Sequence, residues 1–182
     1  MILSDSKILE GLKNGSIIIS GFDTNRLNPT SYDVTLNNKF KIYKNPVLDC
    51  KGYNEVEEFT IPEEGYTLQP GEFYLYSTNE IIGSNIYSSE IKNKSSLARL
   101  GLIIHYVASW IDVGFVGNIT LEMSVQKPLI IYPNMKIGQL IFHTIDGKVL
   151  ESYDQKAGSK YHNQTGVQES LMHKNFKNGE GE

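Results

Sequence analysis

The chain has 182 residues, one cysteine (Cys50), and 17 Lys+Arg against 21 Asp+Glu, a formal charge of −4. That length suits one domain able to bury a core unaided, and 40% hydrophobic with 21% charged residues excludes global disorder. A lone cysteine excludes an intrachain disulfide and a Cys/His zinc constellation, and net acidity argues against a general nucleic-acid partner, whose phosphates need a basic surface.

The first element is a short helix. Ser4 is placed to cap it, Leu3 and Ile8 form a hydrophobic staple, Ile8, Leu9 and Leu12 share a face, and Gly15 stops it. The period then changes to two. Ile17–Ser20, Ser31–Leu36, Lys39–Tyr43 and Glu57–Ile61 read as strands separated by Asn, Gly and Pro, and Phe73–Ser77 follows with Phe73 and Leu75 facing the core. The clearest strand is Asn118–Val125. Ile119, Leu121, Met123 and Val125 point one way, and Thr120, Glu122 and Ser124 the other. Leu129–Tyr132 and Ile137–Thr144 continue the pattern. Many short strands with little helix predict a mainly β barrel or sandwich.

The apolar runs Ile17–Ile19 and Leu102–Ile104 are far shorter than the ~20 residues that cross a bilayer, and the first residues do not resemble a secretory signal. The expectation is a cytoplasmic protein with no membrane partner. Residues 1–173 are expected to form one domain, with a polar segment at about 153–170 that is either a loop or a flap over a ligand, and 174–182 a flexible tail.

Three segments can carry chemistry. In Lys92–Gly101, Ser95 or Ser96 can cap a short helix ended by Gly101, with Lys94 and Arg99 beside its positive end. The alternatives are a small phosphate site or a solvated turn. In His105–Gly117, Asp112 precedes a Gly-x-x-Gly turn and is either a turn former or a carboxylate for a sugar hydroxyl or water. His105 reads as a packed or partly exposed strand residue, and Trp110 as core or a stacking surface. Glu122 is a surface residue if its strand face meets bulk solvent, and a general acid/base if that face lines a cleft. One cysteine cannot satisfy the zinc deaminase pattern, and neither a Walker loop nor a Gly-x-Ser-x-Gly elbow occurs.

Together these segments resemble the dCTP deaminase family, within the trimeric dUTPase superfamily. The resemblance rests on Pro29-Thr30-Ser31-Tyr32-Asp33, Lys94-Ser95-Ser96-Leu97-Ala98-Arg99 and Trp110-Ile111-Asp112-Val113-Gly114-Phe115. It continues in Ile119-Thr120-Leu121-Glu122, Met135-Lys136-Ile137-Gly138-Gln139-Leu140 and Ala157-Gly158-Ser159-Lys160-Tyr161-His162-Asn163-Gln164. It implies a distorted β-barrel with jelly-roll character (dUTPase-like, a β-clip), a homotrimer with sites between subunits, and a C-terminal segment that closes over nucleotide. The implied activity is zinc-free deamination of dCTP to dUTP, followed in some members by cleavage to dUMP and pyrophosphate.

The resemblance also implies residue roles. Glu122 matches the catalytic glutamate. Ser95 and the Ala108 carbonyl match the groups that hold its water, with Arg99 supplying charge. Asp112 matches the deoxyribose contact and is associated with the hydrolytic water. Lys94, Ser95, Ser96, Leu97, Ala98, Arg99, Thr120, Leu121, Gln139, Tyr153, Lys160 and Gln164 match nucleotide-contacting positions. Mg²⁺ is expected to arrive with the triphosphate. Lys94, Gln139 and the Asp112 segment resemble the dUMP-forming members, whereas Ser109 stands where those members usually have glycine. The competing functions are a dUTPase that leaves dCTP untouched, and a non-catalytic nucleotide-binding regulator on the same barrel.

Overall fold

The computed structural model describes residues 1–105 and 108–177. Two five-stranded antiparallel sheets supply most of its core. In spatial order the first is Leu102–Ile103, Thr120–Val125, Tyr74–Ser77, Lys39–Tyr43 and Val56–Thr60. The second is Trp110–Ile111, Tyr87–Asn93, Lys136–Thr144, Ser31–Thr35 and Leu27–Asn28. A three-stranded sheet (Ile17–Ile19, Ile82–Ser84, Val116–Gly117) and the pair Tyr66–Leu68 with Leu129–Ile131 complete the set. The fold is mainly β and distorted; among the described residues the sheets keep separate edges and do not join as one closed barrel. No helix of the described residues is long and apolar enough to cross a membrane.

Strand Thr120–Val125 behaves as its alternation predicts. Leu121, Met123 and Val125 are buried, while Thr120 and Glu122 on the opposite face are half-buried. Antiparallel pairing sets Thr120 opposite Ser77 and Glu122 opposite Leu75. Strand Tyr74–Ser77 is buried on both faces, so Tyr74 and Tyr76 join the core alongside Leu75. Phe40 anchors the aromatic packing beneath, with ring centroids 4.8 Å from Tyr76 and 4.7 Å from Tyr66. Each such pair adds about 0.5–1.5 kcal/mol beyond burial. Phe73, expected in the core, instead lies one residue ahead of the strand and is exposed at the cleft described below.

Helix α1 spans Asp5–Asn14, with Leu3 and Ile8 buried as the staple requires. Two expectations fail there. The Ser4 hydroxyl contacts Ser6 Oγ at 3.0 Å rather than capping a backbone N–H. Leu9 faces solvent, and Gly11 shares the buried face with Ile8 because a Cβ at position 11 would meet Ile17 Cδ1 at 2.7 Å. Helix α2 is Ser95–Ala98. Its N-cap is Lys94, in extended conformation, so Ser95 and Ser96 sit inside the helix and do not cap it. Gly101 closes the turn at φ 83°, a conformation that favours glycine. Near the end of the chain, Lys174–Lys177 form one helical turn, α3. The rest of the expected tail (178–182) lies outside the described residues, as do Tyr106 and Val107.

Candidate active site

A cleft of about 570 Å³ opens on the polar face of strand Thr120–Val125. Glu122 and Thr120 form part of its wall, with Asp112, Ala108, Tyr153 and Gln164. The face question left open by periodicity is thereby answered: Glu122 looks into a cleft, with its side chain 28% exposed. Asp112 is held at the turn after Trp110–Ile111, where its carbonyl accepts the Phe115 N–H at 3.2 Å and Gly114 takes φ 89°. Its carboxylate stays exposed at the cleft. Trp110 is 55% exposed and packs at 5.5 Å on His143, so it is a surface aromatic and not core.

The C-terminal segment lies against this cleft through a chain of hydrogen bonds. The Tyr153 N–H donates to the Val113 carbonyl (2.8 Å), and the Tyr153 hydroxyl accepts the Tyr161 N–H (3.1 Å). The Asn118 N–H donates to the Gln164 carbonyl (2.9 Å), and Gln164 Nε2 donates to Thr120 Oγ1 (2.7 Å). Farther on, Tyr43 accepts the Ser170 N–H (3.0 Å) and Lys41 pairs with Glu169 (2.7 Å). Burial pushes the Glu169 carboxyl up, but the Lys41 hydrogen bond and charge outweigh it and hold the group below the usual carboxylate range. Lys160 is half-buried in this segment and is not among the residues lining the cleft.

The remaining sequence-identified residues lie elsewhere on the chain. Lys94 Nζ donates to Asp33 Oδ1 at 2.8 Å. Lys136 approaches the same carboxylate at 3.3 Å, and Asn28 donates to it at 3.0 Å. Burial raises the Asp33 pKa, yet these donors and the two ammonium charges leave it lower than an ordinary aspartate. Gln139 sits directly opposite Asp33 in the sheet and donates to Ser31 Oγ at 3.2 Å. On α2, Ser95, Ser96, Ala98 and Arg99 are exposed, and Leu97 packs beneath. None of these lines the Glu122 cleft of the same chain. Leu121 is fully buried, so only its backbone can face a ligand.

Sequence reasoning overlooked four groups. Asp33 and Lys136 organise Lys94; the available signal was a charge between Tyr32 and Val34, both buried. Asn118 donates to the carbonyls of Thr78, Asn79 and Glu80 (3.0, 3.2 and 3.1 Å) and accepts the Gly166 N–H (2.8 Å), tying the C-terminal segment to the cleft floor. His105 is packed as expected, its side chain 4% exposed, but its Nδ1 lies 2.7 Å from Glu122 Oε2. His105 also borders a second cavity of about 380 Å³, with Asn93 and Ser109. Ser109 adopts ordinary backbone geometry; among the described residues the non-glycine positions with positive φ are Asn134 and Asn163. Its conformation therefore does not demand glycine. Among the described residues no three His, Cys, Asp or Glu side chains form a metal-ligating group.

Comparison with known proteins identifies the family. Residues 2–145 match the family model described as dCTP deaminase-like. A Clostridium botulinum (strain Alaska E43 / Type E3) protein named "dCTP deaminase, dUMP-forming" is 46% identical over 176 residues, covering 97% of this chain and 99% of that one. Proteins of the same name from Clostridium beijerinckii and Cytophaga hutchinsonii are 42% and 40% identical over the same shares. The crystal structure of 2'-deoxycytidine 5'-triphosphate deaminase from Agrobacterium tumefaciens superposes with a TM-score of 0.63 at 20% identity, a likeness of fold. That match covers 79% of this chain, which spans about half (48%) of the solved one.

Proposed function

The chain belongs to the dCTP deaminase family, and on that premise we propose that it deaminates dCTP and converts the product to dUMP. The observation that carries the proposal is the placement of Glu122 and Asp112 on one cleft, roofed by a segment that Tyr153 and Gln164 anchor.

In the first step Glu122 takes a proton from water as the water oxygen bonds to C4 of cytosine and the C4=N3 electron pair moves to N3. Glu122 delivers that proton to N3. It then takes the proton of the new C4 hydroxyl and passes it to the amino group, the C4–N bond breaks, ammonia leaves and the C4 carbonyl forms. The balance is dCTP plus water giving dUTP plus ammonia. In the second step Asp112 takes a proton from a second water, whose oxygen bonds to the α-phosphorus. Pyrophosphate leaves and dUMP remains. Mg²⁺ enters as part of the magnesium–triphosphate substrate and neutralises its oxygens.

Ser95 and Arg99 belong to the same proposal, Ser95 holding the water with the Ala108 carbonyl and Arg99 supplying charge. They are exposed on α2 and do not line the Glu122 cleft of their own chain, which supports a homotrimer whose sites are completed by a neighbouring copy. Lys94, Ser96, Leu97, Ala98 and Gln139 would contact nucleotide from that side, with Lys160 reaching it from the C-terminal segment. Residues 1–173 would then act as one domain whose 153–170 segment closes over nucleotide, in the cytoplasm.

Product analysis tests this. Purified protein incubated with dCTP and Mg²⁺ is expected to yield dUMP, pyrophosphate and ammonia. Accumulation of dUTP would remove the second step. Untouched dCTP beside cleaved dUTP would replace the proposal with a dUTPase, and binding without turnover with a regulator.

A further inference from the structure

Glu122 must present one oxygen to water and must hold it in a fixed direction while a proton passes twice. A glutamate with three rotatable bonds does not do this unaided. The carboxylate has one side-chain partner among the described residues: His105 Nδ1, 2.7 Å from Oε2. His105 reaches it from seventeen residues earlier in the chain. Its own side chain is 4% exposed and packed, whereas Glu122 is 28% exposed and faces the cleft.

The other ring nitrogen decides the tautomer. His105 Nε2 is buried and has no hydrogen-bond partner among the described residues. Orphaned buried N–H groups are rarer than under-satisfied acceptors, so the unpaired position favours the bare ring nitrogen. An ionised carboxylate offers only acceptors. Both conditions place the ring proton on Nδ1, where it donates to Oε2 and leaves Oε1 for water.

We propose that His105 is a positioning residue for the deamination step: it clamps Glu122 Oε2 through Nδ1–H and so aims Oε1 at the attacking water. The inference rests on the assignment of Glu122 as the proton-transferring group. In this role the imidazole acts through Glu122 and not on the substrate. Its predicted effect therefore falls on the chemical step and not on dCTP binding.

Two substitutions and one spectrum test this. His105→Phe keeps the ring volume and deletes the donor. It is expected to lower kcat for ammonia release by ~100-fold or more, with KM for dCTP within about threefold. His105→Asn places an amide N–H near the position of Nδ1 and is expected to recover kcat to within ~10-fold of the parent. Thermal melts and dCTP titrations establish that each variant folds and binds. Independently of variant folding, the ¹⁵N imidazole spectrum of the unmodified protein is expected to show one histidine as the Nδ1–H tautomer, its signal shifting in Glu122→Gln. A His105→Phe enzyme with unchanged kcat, an equal loss in well-folded His105→Phe and His105→Asn, or an Nε2–H tautomer for His105 would each overturn the inference. Failure of the unmodified protein to release ammonia from dCTP would instead overturn the functional proposal beneath it.

Discussion

Gln164 Nε2 donates to Thr120 Oγ1 over 2.7 Å, two residues along the strand from Glu122. The residue that anchors the C-terminal segment and the residue proposed to move the proton therefore share one face of one strand. The docked segment and the cleft wall are joined by that geometry.

The close passage of Gln164 over Gly117 makes a direct test of this coupling. A Cβ at position 117 would meet the Gln164 carbonyl oxygen at 2.9 Å and its nitrogen at 3.0 Å. Both are backbone atoms with no rotamer to relieve them. Gly117→Ala is expected to displace the segment at a cost of about 1–3 kcal/mol. Limited proteolysis between 155 and 170 should accelerate, KM for dCTP should rise, and the melting temperature should fall by about 2–12 °C.

In the proposed mechanism Asp112 acts in the second step alone. Asp112→Asn keeps the shape of the turn, because the bond to Phe115 uses the Asp112 carbonyl and not its side chain. The variant is expected to lose ~100-fold or more of pyrophosphate release from dUTP. Chromatography of dCTP digests should then show dUTP accumulating in place of dUMP.

The Asp33 cluster gives a pH-dependent stability. The folded-state pKa of Asp33 lies below its ordinary value, so this contribution is fully present above about pH 3.9. It declines as pH falls below that value and is lost once pH passes the lower, folded-state pKa, because the unfolded chain takes up the proton first. Asp33→Asn should flatten the acid limb of the stability curve. At neutral pH it should cost about 1–3 kcal/mol, since Lys94 and Lys136 lose their shared counter-ion. Thermal melts from pH 7 to pH 3 measure both effects, at roughly 2–4 °C per kcal/mol for a chain of this size.

The contrast between Glu122 and Asp33 shows what local sequence can carry. Glu122 was legible because a period-two strand fixes which residues share its face, and burial alternates from Thr120 to Met123 before Ser124, also buried, breaks the pattern. Asp33 was not, because its importance depends on Lys94 and Lys136, which arrive from 61 and 103 residues later in the chain. The packing of His105 was legible but its contact with Glu122 was not, because that partner lies seventeen residues later, on the strand that pairs with Leu102–Ile103. Phe73 and Leu9 show the limit of periodicity at element ends and on narrow helix faces. The strand starts one residue later than the pattern suggests, and Gly11 takes the buried position because Ile17 leaves no room for a side chain. Ser95 and Ser96 have the composition of caps, but the extended Lys94 backbone starts α2 before them.

The most direct test of the account is ammonia release from dCTP by the unmodified protein and by Glu122→Gln, measured side by side. The account predicts one ammonia per dCTP from the unmodified protein. It predicts a loss of ~100-fold or more in the variant, with dCTP affinity retained. Ammonia release at an undiminished rate by Glu122→Gln would contradict it.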